Sequence, residues 1–155
     1  MNGLIIKDDA RYDYCEDFLK NSGHTFDANA ELGFVIFPFM KPPNPIEYRD
    51  EFFARLNKNT LIFSGVTQAE LSRKCIKYGL AYYPMIEERS VATKNAVPTS
   101  EGVIAYLIAN RNETIAGSRI LVLGYGVCGA DLCKRLKALG ANVYAMVRKD
   151  RKSVV

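Results

Sequence analysis

The run Ile120-Leu-Val-Leu-Gly124-Tyr-Gly126-Val-Cys-Gly129 constrains this chain more than any other stretch. An apolar strand leads straight into G-x-G-x-x-G, and an amphipathic helix follows over 127–139, capped by Gly140. Each glycine answers a separate physical need. Gly124 permits the tight turn out of the strand. Gly126 removes a side chain where a pyrophosphate approaches the backbone. Gly129 lets the helix lie close on the strand. The helix N-terminus then offers free N–H groups and a partial positive charge to a phosphate. Tyr125, Val127 and Cys128 occupy the remaining positions, so residues 124–129 form a candidate cofactor-binding loop. A second strand over 143–147 completes the β-α-β context that gives this motif its meaning.

That second strand ends in Val147-Arg148-Lys149. A dinucleotide fold specific for NAD places an acidic residue here, which accepts bonds from the ribose 2′-hydroxyl. The basic pair Arg148 and Lys149 favours NADP instead, because guanidinium pairs well with a 2′-phosphate. NAD remains the alternative. The formal net charge is +4, and it is unevenly placed. Residues 131–155 hold seven basic and two acidic side chains, while the first 130 residues are close to neutral. Three of the seven lie on the glycine-loop helix, and no aromatic interleaving accompanies them, so nucleic acid is not the expected partner.

The 155 residues are 48% hydrophobic and 25% charged, which excludes a disordered or fibrous chain. The apolar stretch 32–40 is broken by Pro38 and is about half of the roughly 20 residues a membrane helix needs. The N-terminus has no basic segment and too short an apolar core for a signal peptide. A cytoplasmic location without membrane contact follows. Cys15, Cys75, Cys128 and Cys133 form no Cys-x-x-Cys pair, and His24 is the only histidine, so no metal site is expected. His24 has no positioned partner in sequence and reads as a surface residue rather than a base.

Strands over 4–6, 34–37, 60–63 and 80–83 alternate with helices over 11–22, about 46–56 and 67–78. Tyr14, Cys15, Phe18 and Leu19 mark the inner face of the first helix, and Thr67-x-x-Glu70 reads as a capping box for the third. Residues 41–45 read as a stiff proline loop and 86–97 as another loop. A helix starts at Pro98, with Thr99 or Ser100 as its cap. Continuous apolar strands separated by helices predict an α/β fold with parallel sheets covered on both faces. Three parts result: a flavodoxin- or Rossmann-like domain over 1–97, a linking helix over 98–117, and an incomplete dinucleotide-binding β-α-β unit over 118–155.

Four further stretches resemble dipicolinate synthase A of spore-forming bacteria. They are Asp8-Asp9-Ala10-Arg11, Ile62-Phe63-Ser64-Gly65, Asn95-Ala-Val-Pro98-Thr99-Ser-Glu101-Gly102 and Gly117-Ser118 ahead of the glycine-loop strand. The resemblance runs over the whole chain but only over the N-terminal half of such a protein. It implies oxidation of a dihydrodipicolinate-type precursor to dipicolinate with NADP as hydride acceptor. It also implies the flavoprotein-like dipicolinate synthase B as partner, in the mother cell during sporulation, with substrate held between the two domains.

A substrate with two carboxylates suits a helix N-terminus bearing hydroxyls, which nominates Thr99 and Ser100. Glu101 is a capping acid or orients substrate, Asn95 is a polar contact, and Arg11 is a carboxylate partner. Ser64 and Gly65 stand at a strand's carboxyl end, where open α/β sheets bind ligands. No general acid or base stands out. The family's proteins continue past residue 155, so the resemblance implies a partial chain, inactive by itself, with uncovered apolar surface that favours homo-oligomer formation. Two other readings stay open: a dehydrogenase of the 2-hydroxyacid type, and a non-catalytic binding or assembly domain.

Overall fold

The computed structural model describes residues 1–39 and 46–147. The proline loop and the Arg148–Lys149 pair lie outside the described residues. The chain divides into two compact units, Met1–Glu88 and Arg89–Val155. The sequence reading set this division at residue 97; the helix expected to begin at Pro98 begins at Arg89 and belongs with the second unit.

In the first unit, β1 (Gly3–Ile5), β2 (Phe34–Phe37), β3 (Leu61–Ser64) and β4 (Ala81–Pro84) form one parallel sheet in the order β1-β2-β3-β4. The register pairs Ile5 with Ile36, Ile36 with Phe63, and Phe63 with Tyr83. Helices α1 (Arg11–Asn21), α2 (Asp50–Ala54) and α3 (Ala69–Tyr78) connect the strands, with short 3-10 turns at Ile46–Tyr48 and Met85–Glu87. All four β2 residues are buried, as a central parallel strand requires. Val35 and Phe37 pack with Phe52, Phe53, Ile62 and Leu71 on one side. Phe34 and Ile36 pack with Tyr12, Cys15 and Leu19 on the other.

A single parallel bridge joins Asn2 to Thr25 on the outer edge of β1. Counting Thr25 as a rudimentary strand, the chain order across the sheet is second, first, third, fourth, fifth, which is the flavodoxin-like doubly wound order. The connection from Thr25 to β2 contains no helix. Asn2 holds it instead. Its side-chain amide donates to the Asp27 carbonyl at 2.9 Å, and its oxygen accepts from the Asp27 N–H at 2.8 Å.

Two local expectations change here. Tyr14 and Phe18 are 77% and 71% exposed, so they are not on the inner face of α1. Tyr12 takes that place, where its hydroxyl accepts the Phe39 N–H at 2.8 Å. The expected capping box on α3 does not form. Gln68 is the N-cap residue, without a side-chain cap, and the Thr67 hydroxyl bonds Glu87. Gly79 does close α3 in the left-handed region, at φ +67°.

Burial in this core has a pH consequence. Desolvation pushes the Cys75 thiol up from 9.0 to about 11. Desolvation also pushes the Tyr48 hydroxyl to about 12, against the opposing hydrogen bond to Gln68. Both groups are stabilised in their neutral form. Their contribution is whole below the unfolded values and is lost as pH climbs through the folded ones. The unfolding midpoint is expected to fall between pH 9 and pH 11, and Cys75→Val to flatten part of that fall. Thermal scans across this range check it, and an identical slope in the variant refutes the assignment.

The second unit contains α4 (Arg89–Asn110), β5 (Arg119–Leu123), α5 (Val127–Ala138) and β6 (Asn142–Met146). β5 and β6 pair in parallel, with Leu121 opposite Tyr144 and Leu123 opposite Met146. α4 packs on α5 through the buried Ala96 and Ser100 of one and Cys133 and Leu136 of the other. Residues 89–97 were expected to be a loop because Pro98 is a strong N1 signal. Here Pro98 sits inside a helix of 22 residues. The lost backbone bond is offset by packing of the Ala96 side of α4. The other face of the two-stranded sheet exposes Leu121, Leu123, Tyr144 and Met146, each between 55% and 75%. Among the described residues, no helix is long and apolar enough to cross a membrane, and no group of metal-ligating side chains gathers.

Candidate functional site

The glycine loop takes the geometry its spacing demands. Gly124 leaves β5 at φ +106°, a region that only glycine adopts without strain. Its N–H bonds the Met146 carbonyl at 3.0 Å and so pins the loop to the end of β6. Gly126 is the N-cap residue of α5, extended at φ −81° and ψ −165°, with no side-chain cap. A Cβ built on Gly126 meets no atom within 4 Å. Open space therefore lies where an incoming phosphate needs it, in front of uncapped N–H groups. A Cβ on Gly129 would overlap the Gly124 carbonyl, so Gly129 sets the close helix-to-strand approach. Val127 and Cys128 open α5 and are exposed, while Tyr125 is half-buried. The residues fit the phosphates of a dinucleotide: an open cradle at Gly126 and a 12-residue helix aimed at it.

The α4 candidates are placed differently from expectation. Asn95, Thr99, Ser100 and Glu101 all lie inside the helix rather than at its start. They offer no free N-terminal N–H groups, and Thr99 and Ser100 do not cap. The Thr99 hydroxyl donates back to the Asn95 carbonyl at 3.0 Å. Ser100 is 1% exposed and faces α5. The Arg135 guanidinium, 2.6 Å away, holds the Asp131 carboxyl below the usual carboxylate range. Glu101 is ion-paired to Arg135 at 3.2 Å, which accounts for its charge without a ligand. Asn95 is exposed on the helix surface.

In the first unit, Ser64 and Gly65 stand at the carboxyl end of β3, as the strand reading predicts, and Arg11 opens α1 after the carboxyl end of β1. Arg11 is not a free clamp. Its Nε reaches both Asp9 oxygens at 2.9 and 3.0 Å, and its backbone N–H bonds the same carboxylate at 2.8 Å. A ligand carboxylate would have to displace Asp9. Arg11 holds the Asp9 carboxyl below its ordinary value. Ser64 is buried; its hydroxyl donates to the Val66 carbonyl at 2.6 Å and lies 2.7 Å from the Tyr82 hydroxyl. It shapes the turn. Gly65 is needed because a Cβ there would press on the Phe39 ring at 2.6 Å.

Sequence reasoning missed the hub of this edge. Gln68 donates from its side chain to the Pro38 carbonyl at 2.7 Å and accepts from the Tyr48 hydroxyl at 2.7 Å. Its backbone N–H bonds the Tyr82 hydroxyl at 3.0 Å. One residue thus ties the end of β2, the Ile46–Tyr48 turn and β4 to the start of α3. The signal was faint: a polar residue directly before a helix, and a tyrosine at an inward position of β4.

No family model matches the sequence. Against individual proteins, the chain is 33% identical over 102 residues to dipicolinate synthase A of Bacillus subtilis, covering 66% of this chain and 34% of that protein. The crystal structure of dipicolinate synthase A from Bacillus subtilis superposes with a TM-score of 0.78 at 22% identity, covering 94% of this chain and 60% of that one. A D-isomer specific 2-hydroxyacid dehydrogenase from Lactobacillus delbrueckii ssp. bulgaricus, in NAD-complexed form, gives 0.55 at 16% identity, covering 93% and 52%. The chain spans about a third of the length of the curated relative it matches. In sequence and in its Rossmann-like α/β fold, this chain is similar to the N-terminal part of dipicolinate synthase A.

Proposed function

We propose that the second unit is the first half of an NAD(P) site, and that the chain forms part of an oxidoreductase of the dipicolinate synthase type. The observation that carries this is the open cradle at Gly126 in front of the uncapped N-terminus of α5. The dinucleotide, when bound, supplies a hydride acceptor. The chain's own residues do the holding. Gly124 and Gly126 give the phosphates access, the N–H groups at the start of α5 balance their charge, and Gly129 keeps the helix in position. NADP is the preferred form, with Arg148 and Lys149 as partners of the 2′-phosphate.

On the resemblance to the Bacillus subtilis protein, the substrate is a dihydrodipicolinate-type dicarboxylate. It loses a hydride to the cofactor and a proton to solvent to give dipicolinate. The flavoprotein-like dipicolinate synthase B is the proposed partner and the mother cell the proposed location. The carboxyl edge of the first sheet is the proposed substrate side, with Ser64 and Gly65 shaping its turn and Arg11 reaching a substrate carboxylate once that carboxylate displaces Asp9.

Titration of this chain with NADPH and NADH, followed by nucleotide fluorescence, tests the reading. Saturable binding of NADPH is expected, with Gly126→Val reducing it at least about tenfold by filling the cradle. Arg148→Asp is expected to weaken NADPH and spare NADH. Absence of saturable binding of either nucleotide overturns the dinucleotide reading. An equal loss of both in Arg148→Asp overturns the 2′-phosphate assignment alone.

A further inference from the structure

A groove of about 650 Å³ runs between α4 and α5 within the second unit. Its lining includes Arg89 and Thr93 from α4, Tyr125 beside the glycine loop, and Asp131, Lys134 and Lys137 from α5. None of the three cations has an ion-pair partner among the described residues. The carboxylate lining the groove, Asp131, is engaged by Arg135 at 2.6 Å. The groove is therefore left with an excess of positive charge.

Several features add to this. Lys134 and Lys137 are three residues apart on α5, so they are neighbours on one helix face and repel each other until an anion lies between them. α4 begins at Arg89 directly after Glu87 and Glu88, which offset the positive end of the helix, so the charge of the groove rests on Arg89, Lys134 and Lys137. The Thr93 hydroxyl donates to the Arg89 carbonyl at 2.8 Å, so Thr93 is wall rather than donor. The Tyr125 ring is half-buried and gives the groove an aromatic side. The volume is that of a small-molecule site.

We propose that this groove binds a small phosphorylated polyanion carrying two or more negative charges. Arg89 supplies a planar donor set, and Lys134 and Lys137 supply point charges. The phosphate belongs either to a free metabolite or to a dinucleotide held at the neighbouring loop. The groove stands on its own lining and does not rest on the dinucleotide reading.

Inorganic pyrophosphate is the probe, titrated into the full chain at low ionic strength and followed by calorimetry. Saturable binding is expected. The double variant Lys134→Gln/Lys137→Gln is expected to weaken it about tenfold, the size of one charge-assisted contact, with an unchanged unfolding midpoint because both side chains are exposed. Gly126→Val is expected to keep pyrophosphate affinity while losing dinucleotide. No saturable binding, or equal affinity in the double variant, overturns the proposal. Loss of pyrophosphate in Gly126→Val also overturns it, since the anion then sits on the glycine loop. The two sources separate in a last arm. If the double variant weakens NADPH but not NADH, the groove takes the dinucleotide's extra phosphate. If it changes neither, the groove takes a free anion.

Discussion

Gly129→Ala is expected to destabilise the second unit by about 2–3 kcal/mol and to abolish nucleotide binding together with it. The added methyl meets the Gly124 carbonyl, which is backbone and has no rotamer to escape into. Relief requires α5 to lift from β5. Lifting α5 moves the N–H groups at its N-terminus and separates Leu136, fully buried, from its packing. The same substitution at Gly126 meets open space and should leave the fold intact. Urea unfolding of the two variants side by side checks this. Equal stability of Gly129→Ala and the parent chain would show that the close approach is not what this glycine provides.

Phe37→Ala has the other large expected effect, a loss of about 3–5 kcal/mol from the first unit. Phe37 is fully buried. Its ring stacks on Phe53 at 5.9 Å and meets Tyr48 edge-on at 4.9 Å and Phe52 edge-on at 6.3 Å. Truncation leaves a cavity among three aromatic rings held by α2 and the turn before it, and none of them can close the gap alone. The loss would also release Tyr48 from its place beside Gln68, loosening the turn at the sheet's carboxyl edge. Circular dichroism melts of the variant measure it; a drop below about 1 kcal/mol would mean the cluster repacks.

Much of this architecture was legible beforehand. The parallel sheets follow from continuous apolar strands such as Phe34–Phe37, which only a strand covered on both faces tolerates. The glycine loop was readable residue by residue, since backbone angle and close approach are properties that glycine alone supplies. The α4 start was not legible, because proline marks a helix start by a local rule and the rule yields when tertiary packing offsets the missing bond. The face of α1 was misread for a similar reason. Two overlapping apolar patterns fit the helical period, and the Tyr12 hydroxyl, held by the Phe39 N–H, selects between them.

The candidate ligand residues divide along the same line. Gly124, Gly126 and Gly129 act through their backbone, so their roles travel with the sequence. Arg11, Ser64, Ser100 and Glu101 act through side chains, and a side chain's role depends on which partner reaches it first. Asp9 claims Arg11, Val66 and Tyr82 claim Ser64, and Arg135 claims Glu101. By itself, the sequence determined two parallel α/β units and a phosphate-ready loop, because periodicity and glycine are local signals. Only the tertiary structure decided where the units divide, which polar groups are already paired, and that Arg89, Lys134 and Lys137 line one groove. Those outcomes depend on contacts between residues far apart in the chain, and no local pattern encodes them.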